Sequence, residues 1–98
     1  MCGIAGFVGN GDEIDLKKMN SKLLHRGPDE SASFTNKIDK VFLTHTRLSI
    51  LDIENGKQPM ATRDNNYVII FNGEIYNHKN LRIELKNLGY NFLTKYSD

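Results

Sequence analysis

The sequence has little of what would mark several broad classes of protein. One cysteine in 98 residues, Cys2, excludes an internal disulfide and the stapled scaffold of small secreted domains. Its histidines, His25, His45 and His78, lie too far apart for a metal-ligand motif, so no bound metal is expected. Thirteen basic residues against twelve acidic ones leave a formal charge of +1, and no basic run is longer than Lys17-Lys18. A nucleic-acid partner is therefore not expected. The longest fully apolar run, Val68 to Phe71, is far below the roughly 20 residues of a bilayer crossing, which argues against a membrane segment. Met1 to Val8 has no basic leader and too short an apolar stretch for a secretion signal, so the cytoplasm is the expected location. Repeats, linkers and low-complexity tracts are missing too, and a chain of this length makes one domain at most.

What is present reads as a mixture of strands and helices. Ile4 to Val8 is a short apolar strand closed by the turn Gly9-Asn10-Gly11. Asp12 and Asp15 resemble a capping pair, and Leu16, Met19 and Leu23 give helical spacing, so a helix is expected over 12–25, stopped by Arg26-Gly27-Pro28. Strands over 31–35 and 40–46 should form a hairpin across Asn36-Lys37-Ile38-Asp39. Alternation in the second puts Val41, Leu43, His45 and Arg47 on one side. Residues 52–64 are polar and read as a surface loop, whereas Tyr67 to Phe71 is the strongest strand in the chain. Asn77 is the candidate cap of a second helix carrying Leu81, Leu85 and Leu88, with Gly89 as its stop and a strand expected from Tyr90 to Leu93.

Several short motifs admit a chemical reading beside a plain one. Cys2 is a small hydrophobe that happens to be second, or a nucleophile. Removal of Met1 would leave it a free α-amino group, about a third unprotonated near pH 7.5, able to take the thiol proton without a histidine. Asn72-Gly73 is a turn after a strand, or a side-chain amide and an unobstructed backbone N–H aimed at an oxyanion. Arg47 is a surface arginine or a structural partner of Asp52, or a fork for a carboxylate. His25-Arg26-Gly27-Pro28-Asp29 is a helix-ending turn or an active-site loop. His45 and His78 invite attention as bases, but a lone histidine on a strand or near a helix start is more often hydrogen-bonded structure.

Together, Met1-Cys2-Gly3-Ile4-Ala5-Gly6, His25-Arg26-Gly27-Pro28-Asp29, Arg47-Leu48-Ser49-Ile50-Leu51-Asp52, Gln58-Pro59-Met60, Asn72-Gly73-Glu74-Ile75-Tyr76-Asn77-His78 and Ser97-Asp98 are similar in kind, order and spacing to the class II glutamine amidotransferases, above all the glutaminase domain of glutamine-hydrolysing asparagine synthetases. The resemblance covers the whole chain. It implies an α+β fold of the N-terminal-nucleophile hydrolase type, an αββα sandwich incomplete in this chain, since the family's glutaminase domain continues well beyond this length. It implies that Cys2 hydrolyses glutamine to glutamate and ammonia with its own α-amine as base, and that Asn72 and the N–H of Gly73 form the oxyanion hole. Arg47 would bind the α-carboxylate of glutamine, Glu74 and Asp98 its α-amino end, and the backbone of Leu48, Ser49, Ile50 and Leu51 would line the pocket. No cofactor is implied for this part. ATP and Mg2+ are implied for a following synthetase domain, which converts aspartate to asparagine with the ammonia, and a homodimer is implied as an option for the full-length enzyme. The same motifs leave open an amidotransferase with another acceptor, or a truncated, non-catalytic remnant.

Overall fold

The computed structural model describes residues 2–48, 56–92, 94 and 98. Its centre is β3 (Val41–Arg47), flanked by β1 (Gly3–Val8) and β2 (Glu30–Asn36) in an antiparallel sheet of order β1-β3-β2. β2 and β3 form the expected hairpin, each one residue longer at the Arg47 end, with Asp39 N–H donating to Asn36 Oδ1 at 3.0 Å in the turn.

Residues opposed in an antiparallel ladder share a face, so the register separates two surfaces. Gly3, Ala5 and Phe7 lie with Thr46, Thr44 and Phe42 on one. Ile4, Gly6 and Val8 lie with His45, Leu43 and Val41 on the other, where Glu30 is opposed to Arg47. The first face is covered by α1 (Glu13–Leu23). This helix starts as its sequence dictates: Asp12 Oδ1 accepts from Ile14 N at 2.9 Å and Asp15 N at 3.2 Å, while Asp15 returns a carboxylate to Asp12 N at 3.0 Å. It ends at Leu23, short of the expected residue 25, because the Leu23 carbonyl is taken by Arg26 N–H at 2.9 Å and by the Thr46 hydroxyl at 3.1 Å.

The layer between α1 and the sheet is partly polar. Leu16 and Phe42 are buried, and the Phe7 and Phe42 rings stack with centroids 4.5 Å apart. Beside them the fully buried Thr44 hydroxyl accepts from Asn20 Nδ2 at 2.5 Å and from Ser33 Oγ at 2.9 Å and donates to Ala32 O at 3.2 Å. Each such bond contributes about 0.5–1.5 kcal/mol net, and losing one partner costs more than the bond itself contributes.

The second half departs from expectation in four places. β4 (Met60–Ala61) lies inside the stretch read as a loop, of which 52–55 fall outside the described residues, and pairs with β5 (Val68–Ile69). Thr62 and Asp64 close this hairpin through Thr62 N–H to Tyr67 O at 2.9 Å and Thr62 Oγ1 to Asp64 Oδ1 at 2.7 Å. The expected strand 67–71 is cut to two paired residues, since Phe71 N–H goes to the side chain of Gln58. Asn77 precedes α2 (His78–Asn87) but makes no side-chain capping bond; its ψ of 24° departs from the extended geometry a cap uses, and His78 N–H bonds Ile75 O instead. Residues 90–92 form no strand, because Tyr90 N–H turns back to Leu85 O and Gly89 N–H to Lys86 O, both at 3.0 Å; Leu93 lies outside the described residues. These two bonds make a Schellman motif, and the φ of 94° at Gly89 is the left-handed geometry it requires.

Candidate functional site

Three stretches far apart in sequence meet where β1 begins and β3 ends. Cys2, next to β1, is half-buried against Leu48: its Sγ accepts from Leu48 N at 3.4 Å and faces Leu48 O at 3.8 Å. The Cys2 carbonyl accepts from Arg26 Nε at 3.1 Å, so both ends of the residue are held by the chain. Arg26 belongs to the loop after α1, which lies along the end of β3 through Asp29 N–H to Arg47 O at 3.0 Å. The approach is close enough to need glycine: a Cβ on Gly27 would stand 2.5 Å from Arg47 N and 2.6 Å from Thr46 O. His25-Arg26-Gly27-Pro28-Asp29 is thus both the turn that ends α1 and a wall beside Cys2.

Arg47 is 5% exposed, on the face away from α1, and its Nη1 stands 3.4 Å from Glu30 Oε2. Its expected partner Asp52 lies outside the described residues, as do Ser49, Ile50 and Leu51. Glu30, across the ladder on β2, was not among the residues read from sequence; the one-residue longer hairpin supplies it.

His45 shares that face and is 1% exposed. Its Nε2 is buried without a hydrogen-bond partner. Burial holds its pKa below 6.5; the Phe71 backbone opposes this, the Arg47 charge adds to it, and Glu30 opposes it again. The Phe71 N–H donates to Gln58 Oε1 at 2.5 Å. The ring of Phe71 underlies Gly73, where an added Cβ would come within 2.9 Å of it.

Asn72, Gly73 and Glu74 follow directly and are exposed. Ile75 N–H donates to Asp98 Oδ2 at 2.5 Å, so Asp98 and Glu74 come together although 24 positions separate them. The structure thus assembles Cys2, Arg47 and Leu48 in one group and Glu74 with Asp98 in another. Among the described residues no hydrogen bond joins Cys2 to Asn72 or Gly73. A cavity of about 790 Å³ between the β4–β5 hairpin and the segment after α2 includes Asp98, Tyr67 and Phe92 in its wall but not Cys2. Another, of about 520 Å³, lies at the far end of the sheet by Asn10, Lys37 and Lys40. Sequence reasoning left Arg26, Gln58 and Glu30 without individual roles and set His45 aside as structure. The signal for His45 was the alternation that puts it on one side of β3 with Arg47.

Among the described residues no group of three or more His, Cys, Asp or Glu comes together to hold a metal, and no helix is long and apolar enough to cross a membrane. Comparison with known proteins gives the arrangement a context. The chain is similar to asparagine synthetase [glutamine-hydrolyzing] 1 of Bacillus subtilis (strain 168), 45% identical over 101 residues, which is 96% of this chain and 16% of that protein. It is 41% identical over 92 residues to the asparagine synthetase [glutamine-hydrolyzing] of Brassica oleracea, covering 89% of this chain and 15% of the relative. For that numbered 1 in Arabidopsis thaliana the identity is 40% over 92 residues, with the same coverage of 89% and 15%. The chain therefore spans about a sixth of the length of these curated relatives. The glutamine amidotransferase domain matches residues 1–98, and the chain belongs to that family.

Proposed function

We propose that this chain is the N-terminal portion of a glutamine amidotransferase domain with the N-terminal-nucleophile hydrolase fold, and that it hydrolyses glutamine with Cys2 to supply ammonia for asparagine synthesis from aspartate. The observation that carries the reading is Cys2 at position 2, held at both ends by Leu48 and Arg26 beside the buried Arg47. The names of the relatives supply the acceptor.

In this reading Met1 is removed and the α-amine of Cys2 takes the thiol proton. The sulfur attacks the side-chain amide carbon of glutamine, and the oxyanion is received by the Asn72 amide and the Gly73 N–H. Collapse breaks the C–N bond, the α-ammonium returns its proton, and ammonia leaves. Water, deprotonated by the same amine, attacks the thioester and releases glutamate and the thiol. Arg47 pairs with the α-carboxylate, Glu74 and Asp98 hold the α-ammonium, and the backbone of 48–51 closes the pocket. No step in this chemistry uses a bound metal or nucleotide. ATP and Mg2+ belong, in this reading, to a synthetase domain outside this chain.

The test is substitution of Cys2 by Ala in the complete protein that carries this chain. Asparagine formation from glutamine should vanish while formation from free ammonia persists, because ammonia bypasses hydrolysis. One extra residue ahead of Cys2 should have the same effect by turning the amine into an amide, and intact mass should show the loss of Met1. Ammonia release from glutamine at the normal rate by Cys2→Ala would overturn the assignment.

A further inference from the structure

Arg47 carries its charge at a place almost closed to water, with its side chain 6% exposed. A buried cation without a counter-charge is costly, and the fold itself provides one. Glu30 is opposed to Arg47 across the β2–β3 ladder, and its Oε2 stands 3.4 Å from Arg47 Nη1. The residues just before it fix that placement: Asp29 N–H donates to Arg47 O at 3.0 Å, Pro28 bridges to Arg47, and Gly27 has no room for a Cβ against Arg47 N. The backbone of Glu30 is thus tied to that of Arg47, but its side chain is less so. The ion-pair contact is longer than the about 2.7–2.9 Å of a tight charge-assisted bond, and the Glu30 side chain is 37% exposed, so its carboxylate has water to turn to.

We infer that Glu30 is a positioning residue acting through Arg47, an internal counter-ion that holds and neutralises the guanidinium between turnovers and yields it to the α-carboxylate of glutamine. The inference rests on the proposed role of Arg47 as the seat of that carboxylate. Two carboxylates drawn to one guanidinium repel each other, so the charge of Glu30 sets how tightly the α-carboxylate is held. It acts alike on glutamine, on the transition state and on the glutamate formed, because the α-carboxylate is the same in all three. Removing the charge therefore strengthens binding throughout and leaves the chemical step alone. A site that must release glutamate in every turnover gains from a counter-ion that competes with it.

The test uses Glu30→Gln in the complete protein, a substitution that keeps the shape of the side chain and removes its charge. KM for glutamine should fall by about 3- to 10-fold, the size expected of one partly solvated charge pair, with kcat held within about twofold. Calorimetry in a Cys2→Ala background, where nothing turns over, should show L-glutamine and L-glutamate both bound more tightly by that same factor. The analogue of glutamine whose α-carboxylate is replaced by a carboxamide should show no such gain, a difference that a merely structural role for Glu30 would not produce. Glu30→Thr, which suits a strand, removes the charge with a different side chain and should shift the constants in the same direction if Glu30→Gln fails to fold. L-glutamine binding that is unchanged or weaker without the Glu30 charge, or an equal gain for the carboxamide analogue, overturns the counter-ion. Arg47→Ala that leaves L-glutamine binding unchanged overturns the Arg47 role and the inference with it. A fall in KM for Glu30→Gln alongside turnover that survives Cys2→Ala would keep the counter-ion and overturn the nucleophile assignment.

Discussion

At the scale of single residues, Arg47 and Asn72 serve the same substrate in the proposed reaction at different moments, and kinetics should separate them. Arg47 meets a carboxylate that is present before and after the chemistry, so Arg47→Ala should chiefly raise KM, by roughly 1.5–3 kcal/mol or about 10- to 150-fold. Its neighbour Glu30 is 37% exposed and can rehydrate when the guanidinium is removed, which limits the structural cost. Asn72 donates to charge that develops only in the transition state, so Asn72→Ala should lower kcat by about 10²–10³. Steady-state kinetics with the reverse pattern would exchange the two roles. His45 gives a second prediction, in pH. Its pKa in the fold is lowered from 6.5, first by burial, with the Phe71 backbone opposing, Arg47 adding and Glu30 opposing. Between that lowered value and 6.5 the unfolded chain binds more protons than the folded one, so stability rises with pH across the window and is lost as pH falls below 6.5. Denaturant melts of the complete protein at about pH 7.5 and 5.5 should differ less for His45→Asn than for wild type, because the variant has no proton to take up there. An equal difference in both would assign the acid sensitivity to other groups.

At the scale of elements, the two helices begin in different ways despite similar sequence signals. Asp12 spends its carboxylate on two backbone N–H groups, so Asp12→Ala should cost about 0.5–2 kcal/mol in chemical denaturation. Asn77 makes no capping bond, and Asn77→Ala should stay within about 0.5 kcal/mol. The contrast shows what was legible. Asp12 and Asp15, Gly89, and the 36–39 turn act on neighbours within a few positions, and each does what its residue type demands. The strands read from 67–71 and 90–93 depend instead on a partner at the right distance. Val68 and Ile69 find Met60 and Ala61, but Phe71 finds the side chain of Gln58 and Tyr90 is drawn back onto α2. The same division runs through the site. Residue type and position pointed to Cys2, Arg47 and Asn72, whereas Glu30 beside Arg47 and Arg26 on the Cys2 carbonyl follow from strand register and loop path. A residue-by-residue reading of the sequence carries no such register.

At the scale of the whole molecule, the chain is loosely assembled. Its accessible surface is 7354 Å², against about 5,700 Å² for a compact monomer of 11.2 kDa. Its radius of gyration is 14.5 Å, against about 12.6 Å for a compact domain of this length. The excess has an identifiable source. Among the described residues only one face of the three-stranded sheet is covered by a helix; on the other His45 and Arg47 are buried, but Val8 is 74% exposed and Ile4 41%, and α2 buries no side chain, with Ile83 at 61% and Leu88 at 73%. At about 25 cal/mol per Å², several hundred Å² of apolar surface left in water forfeits on the order of 10 kcal/mol, comparable with the net stability of a domain. Among the described residues no strand pairs with the outer edge of β1, which adds backbone groups to that surface. Residues 1–98 produced alone should therefore be aggregation-prone or only partly ordered, with a broad thermal transition and no measurable glutaminase activity even after Met1 is removed. Addition of the chain that follows in the relatives, tested by grafting the corresponding segment of the Bacillus subtilis protein, should sharpen the transition by covering the exposed apolar residues Ile4 and Val8. A soluble monomer of residues 1–98 with a cooperative melt would show that α1 and one covered face suffice, and glutamine turnover by that monomer would show that the pocket is complete without a second sheet.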